Sequence, residues 1–244
     1  MNNIIKKFPK KRPELPSRYQ KIYDRHYIAN RTGSTSMSSV SSRLEAWMHV
    51  IVAATSGLER TTLEIGAGNL NQLEYERNNG VYDVIEPNKV LMSTSKRKKE
   101  INNIYDDISD IPISNRYHRI ISIACFEHIC TLPDVIQAAC TLMAENGFMC
   151  VSIPNEGRFL WKLAYTCSTG LEFKLKYGLN YEKLMNYEHV NTADEIEEVL
   201  KLFFNEVEMK LFGFNKTFAL YRYYLCRRPK LRASTDKSYS SNRI

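Results

Sequence analysis

The stretch Thr61-Thr62-Leu63-Glu64-Ile65-Gly66-Ala67-Gly68-Asn69, with its continuation Tyr82-Asp83-Val84-Ile85-Glu86-Pro87-Asn88, decides the fold. Each piece is a short apolar run that stops at a glycine or an acid, the pattern of a buried strand. Similar runs follow at Ile104 and Tyr105, from Arg119 to Ala124, and from Phe148 to Ile153. Helix-length segments separate them: Leu70 to Asn78, Lys89 to Lys99, and Leu132 to Ala144. Strand alternating with helix predicts a parallel sheet with helices on both faces. Upstream, Ser42 with Glu45 has the form of a capping box. Leu44, Trp47, Met48, Ile51 and Val52 then repeat at helical spacing, so a helix is expected up to Thr55. Downstream, Thr192 with Glu195 opens a helix that carries Ile196, Val199, Leu200, Phe203 and Phe204 on one face. Val207 to Phe212 and Phe218 to Cys226 then read as a closing hairpin around Gly213 to Thr217.

Two glycines after a strand let the backbone turn sharply and approach a ligand at the mouth of an open sheet. Eighteen residues after Gly68, Glu86 ends the second strand, where a carboxylate can accept from both hydroxyls of a ribose. A dinucleotide fingerprint would place a third small residue at position 71, and Asn71 is too large for tight packing under a pyrophosphate. Glu64 would repel a pyrophosphate but can sit near an amino-acid ammonium group. These features favour S-adenosylmethionine over NAD.

Five segments in order resemble the motifs of class I S-adenosylmethionine-dependent methyltransferases, over Ser42 to Pro229. Glu64-Ile65-Gly66-Ala67-Gly68 is similar to the family's cofactor loop, and Glu86-Pro87-Asn88 to its ribose-binding strand end. Asp107-Ile108-Ser109-Asp110-Ile111-Pro112 resembles the motif that meets the adenine. Ser122 to Ile129, with Glu127-His128, resembles the segment after the fourth strand, and Asn146-Gly147 into Val151-Ser152-Ile153-Pro154-Asn155 the fifth strand. The resemblance implies a Rossmann-like, seven-stranded, mostly parallel sheet with helices on both faces and an antiparallel C-terminal hairpin. It also implies S-adenosylmethionine as cofactor, held by Glu64, Gly66, Ala67, Gly68, Glu86, Pro87, Asp107, Ile108 and Ala124.

Departures from subfamily patterns narrow the chemistry. Methylation of exocyclic base amines goes with an (Asp/Asn/Ser)-Pro-Pro-aromatic box after the fourth strand, and here that place reads Ala124-Cys125-Phe126-Glu127. Cys125 lacks the neighbouring proline of a ring-methylating nucleophile and reads as a packing thiol. The clustered acids of cation-dependent catechol-type enzymes are not evident, and no metal is expected. Transfer to a small-molecule or glycan-type acceptor remains, as O-methylation, with a base to remove the acceptor's proton. Histidine suits that role near neutral pH. Of His26, His49, His118, His128 and His189, the candidates are His189, in Tyr187-Glu188-His189, and His128. His49 and His118 read as structural. The aromatic insertion 155–190 is the expected substrate lid, with Trp161, Tyr181 and Glu188 as substrate-binding residues.

The net charge of +7 over 244 residues invites a nucleic-acid or membrane-surface reading. Residues 1–22 hold seven Lys/Arg against Glu14, and 227–244 hold six against Asp236, so the ends account for +11 and the body is −4. The expected organisation is a basic arm or lid (1–41) with a helix through Arg18 to Ile28, a methyltransferase domain (42–229) and a basic tail (230–244). An RNA-binding methyltransferase or adapter using the basic ends is the alternative, and peripheral membrane contact through them is a further option. Met1 to Arg12 runs into Pro13, Glu14 and Pro16 with no apolar stretch, so a signal peptide is not expected. Six cysteines without a CxxC pair suit reduced thiols in the cytoplasm.

Overall fold

The strands form where the apolar runs fall. They are Thr62–Ile65 (β1), Tyr82–Ile85 (β2), Asn103–Tyr105 (β3), Tyr117–Ile123 (β4), Met143–Pro154 (β5), Phe204–Gly213 (β6) and Ala219–Pro229 (β7). The computed structural model describes residues 3–20, 22–23, 38–57, 60–77, 80–166 and 170–230. One sheet has the order β3-β2-β1-β4-β5-β7-β6. The first five strands are parallel, and β7 inserts antiparallel between β5 and β6. All four residues of β1 and of β2 are buried, as expected of parallel strands covered on both faces.

Helices Ser38–Ala53 (α1), Lys89–Thr94 (α2), Leu132–Leu142 (α3), Phe159–Tyr165 (α4), Leu171–Tyr177 (α5), Tyr181–Glu188 (α6) and Ala193–Phe203 (α7) complete the layers. Ile136 and Ala139 of α3 and Ile196, Val199 and Leu200 of α7 share one core with Leu63, Ile65 and Ile120. Met48 and Val52 of α1 and Met92 of α2 join Val84, Ile121 and Tyr221 on the other face. A third cluster lies within the insertion, where Phe173, Tyr181, Leu184 and Met185 pack against Leu15 and Tyr19 from the N-terminal segment. No described helix is long and apolar enough to cross a membrane.

Local expectations fared unequally. The Thr192 box forms in full: Thr192 Oγ1 accepts from the Glu195 amide at 3.3 Å and Glu195 Oε2 from the Thr192 amide at 3.1 Å. The helix start expected at Ser42 falls earlier, because α1 begins at Ser38. The helix expected over Leu70 to Asn78 is one 3-10 turn, Asn71–Glu74, entered through Leu70 at φ 67°. Side-chain bonds pull this segment out of helical register. Gln72 Oε1 bonds His49 Nδ1 at 2.9 Å, and Glu76 accepts from the buried Arg119 of β4 at 2.7 and 3.0 Å. Arg119 also donates to the Val52 carbonyl, near the end of α1, and to Thr55 Oγ1, each at 3.0 Å. The Lys89 to Lys99 segment likewise ends early, with α2 stopping at Thr94 and a 3-10 turn at Lys98–Glu100. Residues 17–20 and 22–23 are helical, while the rest of the expected Arg18 to Ile28 helix, His26 and residues 231–244 lie outside the described residues.

Candidate functional site

The strand order reverses at β1, which pairs with β2 on one side and β4 on the other. Ligands in open α/β sheets bind beyond the carboxyl ends of the strands at such a switch point. Gly66 and Gly68 leave β1 there with φ of 76° and 56°. The amides of Gly66 and Ala67 donate to the Ile85 carbonyl at 2.9 and 3.3 Å, and the Gly68 amide donates to Glu86 Oε2 at 2.7 Å. Glu86 Oε1 accepts from the Asn88 amide at 2.9 Å, so the buried carboxylate ties the glycine loop to the end of β2. Each oxygen then has one lone pair remaining for a ligand hydroxyl. Pro87 is exposed beside it, and Asn88 caps α2 through the Val90 and Leu91 amides.

Asp107 stands just beyond β3, where its Oδ1 accepts from the Ser109 amide and hydroxyl at 2.8 and 2.6 Å and Ile108 is buried. Across the switch point, Ala124 ends β4 in the left-handed region at φ 47°, and Cys125 reaches back to the glycine loop. A Cβ on Gly66 would lie 2.3 Å from Cys125 Sγ. Cys125 therefore fills the space beneath the loop, as a packing thiol does.

Glu64 is bonded within the sheet. It is fully buried in β1 and accepts from the Tyr82 hydroxyl at 2.8 Å. Burial pushes its carboxyl up to about 8, against the opposing effect of the Tyr82 bond. A group raised in this way favours folding at low pH and loses that contribution as pH climbs toward the raised value. Glu64→Gln, which preserves an acceptor for Tyr82, is therefore expected to melt with the wild type near about pH 4 and to gain in Tm progressively up to about pH 8. Thermal unfolding of both proteins across that range checks this. An equal offset at every pH would show that the carboxyl is not held neutral.

The second half of the site comes from loops far apart in sequence. After Cys125, the 3-10 turn Phe126–His128 presents Glu127 and His128. The segment after α6 is laced onto this turn. The Val190 and Asn191 amides donate to the Glu127 carbonyl at 2.8 and 3.1 Å, and Asn191 Nδ2 donates to the carbonyls of Phe126 and Ile129 at 2.8 and 2.7 Å. The lacing sets His128 edge to face with His189, ring centroids 4.7 Å apart. His189 Nδ1 bonds Glu156 Oε2 at 2.7 Å, and the same oxygen accepts from Trp161 Nε1 at 2.6 Å. His128 Nδ1 donates to the Glu188 carbonyl at 3.0 Å. Burial works to lower the His189 pKa, but the bond to Glu156 and the nearby carboxylates outweigh it, and the net shift is upward.

His128, His189 and Trp161 thus belong to one constellation, to which Glu188 contributes its backbone carbonyl. Tyr181 lies deeper in the insertion, packed on Phe173 and Tyr165 at 5.2 and 6.1 Å between ring centroids. His49 bonds Gln72 and stacks on Tyr75, and His118 bonds Thr61, as structural residues do. Two participants were not singled out from the sequence. Glu156 follows β5 directly, and the nearest signal for it is its place after Pro154-Asn155 at a parallel strand end. Arg12 gave no signal beyond its charge. Its guanidinium donates to the carbonyls of Tyr187, Glu188 and His128 at 2.8, 2.9 and 2.8 Å, clamping both histidine segments from behind. Lys7 and Lys10 pair with Glu195 at 3.2 and 2.9 Å. Three of the seven N-terminal cations are thus paired within the molecule.

No protein-family model matches the sequence, and no curated protein does. Solved structures do match in fold. A methyltransferase from Thermotoga maritima, described as S-adenosylmethionine-dependent and a possible histamine N-methyltransferase, aligns with TM-score 0.56 at 10% identity, over 87% of this chain and 99% of its own. The plantazolicin methyltransferase BpumL, in complex with a monoazolic desmethylPZN analog and SAH, aligns with TM-score 0.55 at 14% identity, over 86% and 92%. A SAM-dependent methyltransferase from Archaeoglobus fulgidus aligns with TM-score 0.54 at 12% identity, over 83% and 99%. The fold is that of the class I S-adenosylmethionine-dependent methyltransferases.

Proposed function

We propose that the chain is a cytoplasmic S-adenosylmethionine-dependent methyltransferase that methylates an oxygen of a small-molecule or glycan-type acceptor. One observation carries the reading. At the switch point the Gly66–Gly68 loop packs on Cys125, whose strand end leads within a single turn to Glu127 and His128. The residues suit the cofactor: an unbranched loop for close backbone approach, lone pairs on Glu86 for ribose hydroxyls, and Asp107 and Ile108 for the adenine. When bound, S-adenosylmethionine supplies an activated methyl group on a sulfonium sulfur.

The protein's own residues do the rest. On this reading the acceptor side is formed by the segment after β5, which offers Trp161 as a ring on which a sugar or aryl acceptor stacks. The acceptor hydroxyl gives up its proton at the cluster of Glu127, His128 and His189. There the Nδ1 protons are committed to Glu188 and Glu156, so in the neutral rings the Nε2 lone pairs face the chemistry. Positioning and desolvation supply much of the remaining rate. The alternative use of the basic ends, for RNA or a membrane surface, loses Lys7, Lys10 and Arg12 to bonds within the chain.

Titration calorimetry with S-adenosylhomocysteine tests the reading. The wild type is expected to bind, and Glu86→Ala to bind about tenfold or more weakly, the worth of one charge-assisted hydrogen bond. No binding by the wild type, or equal binding by the variant, would overturn it.

A further inference from the structure

Glu127, His128 and His189 converge on one small volume. Each offers one ligating atom, and the three atoms lie within 4.8 Å of one another. A carbonyl oxygen only accepts, so the Glu188 carbonyl fixes the proton of neutral His128 on Nδ1 and its lone pair on Nε2. The Glu156 carboxylate, already accepting from Trp161, does the same for His189. Imidazoles anchored through one nitrogen by a carbonyl or a carboxylate, with the other presented, are the form that metal-binding histidines take.

His128 Nε2 lies 3.8 Å from Glu127 Oε1, too far for a hydrogen bond. Two ligands of one tetrahedral ion stand about 3.4 Å apart, so modest side-chain rotation closes the set around an ion. The cluster is enclosed, with side-chain exposures of 2% for Glu127, 9% for His189 and 19% for His128. Two carboxylates, Glu127 and Glu156, set its charge, and Arg12 meets these segments through backbone carbonyls and the face of the Tyr187 ring.

We propose that Glu127, His128 and His189 bind a divalent transition-metal ion, with Glu156 and the Glu188 carbonyl orienting the two histidines. Two imidazoles and one carboxylate leave coordination positions open, as catalytic sites of this ligand type do, and the donor set suits zinc, manganese, iron or cobalt. On the methyl-transfer reading, on which this role rests, the acceptor's oxygen takes an open position. With both Nε2 lone pairs held by the ion, the ion takes over the activation otherwise assigned to the histidines as bases: the acceptor's O–H bond breaks, the electron pair stays on oxygen and is shared with the metal, and the proton leaves to solvent.

The test uses full-length, untagged protein stripped with a chelator and titrated with cobalt(II) while visible d–d absorption is recorded. The wild type is expected to develop bands that saturate at one ion per chain. His128→Ala and His189→Ala are expected to lose them while retaining S-adenosylhomocysteine binding by calorimetry. Absence of bands in the wild type, or undiminished bands in both variants, overturns the site. Cobalt bands in a wild type that binds no S-adenosylhomocysteine would uphold the metal site and overturn the methyl-transfer reading.

Discussion

His189→Ala is expected to slow methyl transfer by about 10²- to 10⁴-fold, the usual worth of a positioned acid–base group, with S-adenosylhomocysteine affinity unchanged. The separation of the two effects follows from the architecture. His189 is held by Glu156, by its own amide bond to the Met185 carbonyl and by the lacing of Val190 and Asn191 onto the Phe126–His128 turn. None of these bonds involves the glycine loop or Glu86. Loss of the imidazole therefore removes a group that handles the acceptor and leaves the cofactor cradle standing. Glu156→Gln should fall between wild type and His189→Ala, because the amide oxygen still accepts from Nδ1 and keeps the tautomer while the charge is gone. Single-turnover rates with a competent acceptor, paired with calorimetry, read both quantities. Full activity in His189→Ala would remove this residue from the reaction.

How the site was legible differs residue by residue. The glycine loop, Glu86 and Asp107 are visible in the sequence because each sits at the end of its own apolar run, and a parallel sheet gathers such ends on one edge. The capped start of α7 is visible because Thr192 and Glu195 satisfy each other within four residues. The meeting of His128 with His189 depends on which of several loops at that edge touch, and no local period encodes it. The one available hint is a repeated dipeptide, Glu127-His128 and Glu188-His189, each at the end of an element near that edge. Arg12 is less legible still, since the three groups that accept its hydrogen bonds are backbone carbonyls and carry no side-chain signature. The failed helix at 70–78 has the same origin. Its polar side chains Gln72 and Glu76 answer to His49 and Arg119, long-range partners that override local propensity.

Gly66→Ala is expected to destabilise the fold by several kcal/mol and to abolish S-adenosylhomocysteine binding, through two separable causes. The first is conformational: φ of 76° puts a side chain in the left-handed region, worth about 1–3 kcal/mol. The second is steric: the new Cβ would stand 2.3 Å from Cys125 Sγ and 2.7 Å from Cys125 Cβ, an overpacking cost of about 1–3 kcal/mol. Together they consume a large share of a net stability of about 5–15 kcal/mol. Cys125→Gly removes both clashing atoms, so the double variant should recover the steric part and keep the conformational part. Denaturant unfolding of the wild type, both single variants and the double variant yields the coupling directly. A favourable coupling of about 1–3 kcal/mol is expected for residues in contact. Cys125→Ala alone should retain methyl transfer, because the thiol's place is under the loop and the reaction proceeds at the histidines. A coupling near zero would mean that the strand end and the loop are not packed as described, and the close approach of β1 and β4 that creates the cradle would have to be abandoned.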